Sequence, residues 1–531
     1  MALWLSAALW AIFQHGPLPL YSTRTLGVAW EMWNHAEFLV PHINGQPYSH
    51  KVPLLFWLIH AGWAVGGVND VWPRVLQVMI GAGWLAMAAR LARRVYAGKP
   101  SAAHLVPWLL IALPYPFLFG LQIMYEVLLA LCVAAALCAL TGRPRWGWFA
   151  LAVGAGLLAK GPVMLLHVVF PWLLGPWWSE AARADRRRWY GLGGVALAAG
   201  TALLLAWAIP AGFAGGDDYR RELFFMQTAG RVVDSFDHAR PLLWYLPMLG
   251  VLILPWIAWP RVWRAVASAR GPVNDSERFA IAWVVPTFAV FCLVSGKQVY
   301  YLLPLLPGAM MLLAAALHRQ QARVAGGGRR WRAWPIALGL LGAGGVLAVL
   351  PIWRAHALEV PHWVADAYAV APWVAVVFAA LSLVVLLGSP SRELQRVAAA
   401  TLVATTAAHT LFASALFHHF DLRPVAAVLA RAEANGQAIA NVGRYEAQFH
   451  FLARLNRPVE TIEEYGISTW ATAHPDGVIV RYPERSDETA ARNALLVQPF
   501  RSRRIEVWNA PALAAAQRSG DAEKDSSNQG E

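Results

Sequence analysis

Four ionisable residues stand where an otherwise apolar sequence leaves little room for them: Lys51, Glu126, Lys160 and Lys297. Each lies in a short polar break between apolar stretches, in YSHKVP, IMYEVLL, LLAKGPV and SGKQVYY. A lysine ammonium is a compact point charge suited to a phosphate or pyrophosphate. A carboxylate at a membrane boundary can take a proton or hold a cation. Each group also has a plainer reading, since a lysine can snorkel to ordinary head groups and a glutamate can sit at a helix N-terminus for its dipole. Three lysines at separate loops on one side favour phosphate binding over three unrelated anchors. For Glu126 the two readings weigh equally.

The elements that must hold these residues follow from composition. With 58% hydrophobic residues, 28 Trp and 14% charged residues in 531 positions, an ordinary soluble protein is excluded and a polytopic all-α membrane protein is expected. Thirteen apolar stretches between residues 1 and 417 read as transmembrane helices. Basic residues concentrate in alternate loops, among them Arg90, Arg93 and Arg94, Arg143 and Arg145, Arg183 to Arg188, and Arg319 to Arg332. The positive-inside rule makes those loops cytoplasmic. The net charge of +13 is then largely a topology signal, and no nucleic-acid partner is implied. The expected location is the inner (plasma) membrane, with the N-terminus cytoplasmic, the first span an uncleaved anchor, and Lys51, Glu126, Lys160 and Lys297 on the outer side. Cys132, Cys138 and Cys292 fall in apolar segments and read as core residues. No P-loop, GxGxxG, HExxH or CxxC motif is present.

The membrane domain should cover 1–419, with a first outer loop at 20–72 and a long outer loop at 213–241. In the first loop Leu26, Ala29, Trp30 and Trp33 recur at helical spacing, with Arg24, Glu31, Asn34 and His35 opposite. This predicts a helix lying on the membrane surface. The turn-rich NGQPYSHK ends it and Pro53 opens a second apolar helix. Glu31, Glu37 and the acids Asp217, Asp218, Asp234 and Asp237 read as solvated-face charges. A small outer α/β domain is expected at 420–510, with strands near 438–442, 459–462, 477–481 and 505–508 and helices near 424–435 and 446–455. The polar 511–531 tail is expected to be disordered.

Residues 20–58, then LLAKGPV, HARPLLWYLPMLGVLILPW and SGKQVYYLLPLLP, resemble in order the signature segments of membrane GT-C glycosyltransferases of the lipid A aminoarabinose transferase and protein O-mannosyltransferase type. The resemblance extends loosely to RYEAQFHFLARLNRPV in the outer domain. It implies an inverting enzyme that moves a sugar from a polyprenyl phosphate carrier to a lipid, glycan or protein acceptor at the outer face of the membrane. It also implies roles: Lys51, Arg24, Lys297, Tyr301 and Arg231 at the carrier phosphate; Tyr48, Lys160 and Glu31 lining the cavity; and Glu126 as the catalytic carboxylate, where the family usually has aspartate. No cofactor is expected, and with so few outer acids no metal either. This chain departs from the family where Tyr21 and Ser22 replace an acidic pair and His50 replaces a commonly acidic residue. A tyrosine near pKa 10 is no substitute for an aspartate at neutral pH. Three readings stay open: Glu126, or less so Glu31, carries the base role alone; the acceptor is an already ionised phosphate; or the chain is a noncatalytic lipid-binding homologue. A lipid transporter would need charges near the midplane, whereas here they gather at one face.

Overall fold

A computed structural model describes residues 1–224, 240–269, 271–323, 332–353, 366–484 and 492–528. It contains two compact units, Met1–His15 with Ser49–Ser414, and Gly16–Tyr48 with Ala415–Glu531.

The first unit is helical. Among the described residues of the chain, six helices are long and apolar enough to cross a membrane, or seven if Pro100–Ile111 and Pro114–Gly120, bent by 60°, form one span. Shorter apolar helices include Leu54–Gly66, Tyr125–Leu140, Trp146–Lys160 and Val163–Leu173. A multi-pass helical membrane protein is what the composition predicts. Glycines set how closely these helices approach. A Cβ at Gly154 would come within 2.4 Å of Leu203 Cδ1, and one at Gly200 within 2.9 Å of the Ala150 carbonyl. The Trp146–Lys160 and Arg186–Ala214 helices therefore touch at backbone distance. Gly161, with φ of 75°, makes the sharp reversal into Val163–Leu173 that an L side chain resists. Arginines of the basic loops are anchored by carboxylates: Arg319 meets the buried Glu277 at 2.9 Å and Arg332 meets the buried Glu393 at 3.7 Å.

The second unit carries the sheet. Strands β1 (His42–Ile43) and β2 (Gln46–Pro47) form a small hairpin whose turn residues Asn44 and Gly45 have positive φ, the conformation an Asn-Gly pair favours. The main sheet contains β3 (Ile439–Val442), β4 (Glu460–Ile462), β5 (Val478–Arg481), β6 (Leu496–Phe500) and β7 (Arg503–Asn509), in the order β4-β3-β5-β7-β6. Strand β3 runs parallel to β4 and β5, while β7 is antiparallel to β5 and β6. Alternation along β5 supplies both faces. Val478 and Val480 join Val425, Leu429 and Phe449 on one side, and Ile479 joins Trp470, Trp508 and Leu513 on the other. The last of these clusters explains a difference from the sequence reading. The 511–531 segment, whose polar composition predicts disorder, forms most of the helix Ala510–Asn528, whose start buries Ala510, Leu513 and Ala514.

The Ser22–Asn34 helix belongs to this unit, and its predicted polar face is divided, with Asn34 and His35 exposed but Glu31 buried. Leu26, Val28, Ala29 and Met32 are fully buried, and Glu31 is only 3% exposed. Gly27 explains how close the helix lies to its neighbour, since a Cβ there would be 2.5 Å from the Ala447 carbonyl. The Glu31 carboxylate accepts the backbone N–H of Asn44 at 2.5 Å and of Gly45 at 2.9 Å. Burial raises its pKa, and these two donors offset part of that rise. Asn44 in turn exchanges hydrogen bonds with Val459, at 2.9 and 2.7 Å. Trp30 donates to the Leu455 carbonyl at 2.8 Å. One polar side chain after another thus ties the helix and hairpin to the sheet.

Two consequences can be measured. Gly27→Ala drives a methyl into a backbone oxygen and should destabilise the purified protein by about 2 kcal/mol. By contrast Gly191→Ala, at a helical position with nothing within 4 Å, should be neutral or stabilising by up to about 1 kcal/mol; thermal melts of both test the contrast. The second concerns pH. His450, buried beside Glu31 and bonded to the Tyr445 hydroxyl at 2.7 Å, is pushed down to about 4 by burial and by the charge of His35. Its folded value lies below the unfolded value of about 6.5. It therefore contributes stability above pH ~6.5, and that contribution is lost as pH falls towards 4, up to about 3 kcal/mol. Glu31, raised in the folded state, has the opposite sign, so the His450 effect is read as a difference: between pH 6.5 and 4 the wild type should lose more stability than His450→Gln.

Candidate functional site

The site is built from two helix ends in the first unit. Glu126 lies in the first turn of Tyr125–Leu140, after Met124 in extended conformation. Lys160 is the last residue of Trp146–Lys160. A carboxylate at a helix N-terminus and an ammonium at a C-terminus each complement the local dipole. The loop between these two packed helices brings the unlike ends to the same level, and Lys160 Nζ donates to Glu126 Oε1 at 2.7 Å. Side-chain exposure is 7% for the glutamate and 17% for the lysine, so the pair is largely removed from water. The carboxylate is also hydrogen-bonded by the backbone N–H of Glu126 itself.

Aromatic rings frame this pair. Lys160 Nζ stands 4.4 Å from the ring centre of Tyr301 and 5.7 Å from that of Tyr300, within cation–π range. Both tyrosines come from the 3-10 turn Val299–Leu305. Lys51, just before the Leu54–Gly66 helix, has its Nζ 5.1 Å from the ring centre of Tyr125, and is near enough for its charge to act on the Glu126 carboxylate. The Tyr125 ring is itself held edge-on by Phe56, 5.8 Å between centres. Gln77, fully buried, donates to the Met124 carbonyl at 3.4 Å. Two ammonium groups thus stand near one carboxylate in a partly desolvated site.

The other residues singled out in the sequence are placed as follows. Lys297 is 2% exposed, and its ammonium is bonded to the carbonyls of Val294 at 2.5 Å and Arg240 at 3.2 Å. It closes the end of the Asp275–Leu293 helix and makes none of the contacts around Glu126. In the second unit Arg24 pairs with Glu446 at 2.9 Å, Tyr48 is buried, and Glu31 is engaged as described above. Arg231 lies outside the described residues. Tyr125 and Tyr300 carry no sequence signal of their own beyond standing next to Glu126 and Tyr301. The same holds for Ser49, two residues before Lys51, whose hydroxyl donates to Glu222 at 2.7 Å.

No family model matches the chain. An undecaprenyl phosphate-alpha-4-amino-4-deoxy-L-arabinose arabinosyl transferase of Edwardsiella ictaluri is 26% identical over 395 residues, which cover 66% of this chain and 67% of that protein. A protein of the same name from Pseudomonas aeruginosa (strain LESB58) is 30% identical over 319 residues, 56% and 55% of the two chains. The match thus spans between about half and two thirds of the length of these curated relatives. The crystal structure of ArnT from Cupriavidus metallidurans bound to undecaprenyl phosphate superimposes with a TM-score of 0.70 at 17% identity, covering 95% of this chain and 97% of that one. The chain has the fold of ArnT. Its sequence is related to the arabinosyl transferases, as the ordered GT-C signature segments imply.

The ion pair gives a test that separates folding from chemistry. Removing one partner leaves a buried charge unpaired, so Glu126→Gln and Lys160→Met should each cost about 3 kcal/mol in thermal or denaturant unfolding. The double variant should recover most of that loss, with a coupling energy above about 1 kcal/mol. Simple additivity of the two single losses would mean that the pair is not coupled in the folded protein.

Proposed function

We propose that this chain is an inverting glycosyltransferase that takes a sugar from a polyprenyl phosphate carrier at the outer face of the inner membrane and delivers it to a lipid, glycan or protein acceptor. The observation that carries the proposal is the Glu126–Lys160 pair with Lys51 and Tyr301 beside it, on a chain related to transferases named for an undecaprenyl phosphate-linked aminoarabinose donor. The full reading has thirteen spans, the basic loops in the cytoplasm, and the site and C-terminal domain outside.

In the reaction the bond between the anomeric carbon and the carrier phosphate oxygen breaks as the acceptor oxygen attacks from the opposite side. Charge grows on the departing phosphate, and the ammonium of Lys51 stabilises it more than it stabilises the neutral ester bond. Arg231 is a further phosphate contact in this reading. The hydroxyl of Tyr301 donates to a phosphate oxygen, and Lys160 keeps Glu126 ionised and fixed. The Glu126 carboxylate orients the acceptor and receives its proton where the acceptor is a hydroxyl. An acceptor phosphate is already ionised and needs only the orientation. Glu126 then works without the acidic pair that Tyr21 and Ser22 replace.

The resemblance to lipid A aminoarabinose transferases makes lipid A the first acceptor to test, with purified chain, undecaprenyl phosphate-linked sugar and mass spectrometry of the product. Lys51→Ala should reduce transfer by at least about 10²-fold while the protein keeps its melting temperature. Full activity of Lys51→Ala against a demonstrated donor overturns the assignment. A wild-type chain that binds undecaprenyl phosphate but transfers no sugar to any acceptor class favours the noncatalytic lipid-binding homologue.

A further inference from the structure

At the opposite end of the Trp146–Lys160 helix from Lys160, about 21 Å away at 1.5 Å per residue, a groove of about 570 Å³ opens between this helix and Arg186–Ala214. Its length is apolar, with Leu151 54% and Leu203 41% exposed. Small residues, Gly147, Ala150 and Ala199, also line it. At its mouth stand Arg145 and Trp146. The Trp146 ring is locked in place, edge-on to Trp189 at 5.3 Å and to Phe149 at 6.0 Å. The Arg145 guanidinium has no hydrogen-bond or ion-pair partner among the described residues. Arg143 lies two residues away in sequence, and Arg186 and Arg187 open the second helix. Asp185, the carboxylate at the start of the second helix, is taken up as the cap of Arg188 at 2.9 Å.

Cation, rigid indole and apolar trough succeed one another along the groove in the order of a phospholipid's phosphate, glycerol region and acyl chain. Trp favours the head-group level, and an exposed apolar trough on a membrane helix faces acyl chains. A zwitterionic head group brings its own ammonium to a site that already holds unpaired arginine, whereas an anionic one neutralises it. We propose that this groove is a binding site for an anionic phospholipid, with its phosphate on Arg145 and one acyl chain along Leu151 and Leu203. The site lies at the membrane face of the arginine-rich loops, away from Glu126 and Lys51. It does not depend on the transferase reading.

The test is native mass spectrometry of the full chain carried in micelles with equimolar phosphatidylglycerol and phosphatidylethanolamine. Wild type should retain phosphatidylglycerol preferentially. Arg145→Gln should cut that retention roughly tenfold, and Arg145→Lys should keep most of the preference. Gly147→Leu, at a position where a Cβ meets nothing within 4 Å, should fill the groove without disturbing the fold and lower retention of both lipids. Binding of undecaprenyl phosphate should be unaffected by any of these changes. Equal retention of the two phospholipids by wild type, or wild-type retention by Arg145→Gln, overturns the proposal. Loss of undecaprenyl phosphate rather than phosphatidylglycerol in Arg145→Gln also overturns it and makes the groove part of the carrier's site.

Discussion

The ion pair between Glu126 and Lys160 is the constraint on which the candidate site depends. Each member sits at the helix end whose dipole favours it, and the two helices are antiparallel neighbours, so the pair satisfies local and tertiary preferences together. A carboxylate 7% exposed would otherwise be costly to keep charged. Its lysine partner, at 2.7 Å, allows it to stay ionised at a membrane boundary. The same lysine is boxed by Tyr300 and Tyr301, which removes its freedom to swing out to lipid head groups as a snorkelling side chain would. Rigidity here comes from the backbone: Gly161 turns the chain directly after Lys160, and a helix starts again two residues later.

Lys51 enters from a different direction, on the segment that precedes Leu54–Gly66, and it reaches Tyr125 rather than Glu126. Two positive groups thus act on Glu126 in different ways: Lys160 bonds the carboxylate directly, while Lys51 acts on it through its charge alone.

Much of this was legible in the sequence because a charge inside an apolar chain is conspicuous. Lys51, Glu126 and Lys160 announce themselves by breaking hydropathy, and the structure does bring them close. Lys297 announces itself equally well, yet its ammonium is consumed by two backbone carbonyls at a helix end. Hydropathy shows that a charge needs a partner; it does not show whether that partner is a ligand or the chain itself. The Ser22–Asn34 helix illustrates the converse. Its spacing of Leu26, Ala29 and Trp30 predicts a one-sided helix, but Glu31 on the supposed wet face is buried by the hairpin turn at Asn44 and Gly45. That contact comes from the turn 13 and 14 residues along the chain, and periodicity within the helix carries no trace of it. The sheet was read nearly strand by strand, since apolar runs such as GVIV bounded by turns are local signals. Strand β6, interrupted by Pro499 and only half-buried, lacks that signal.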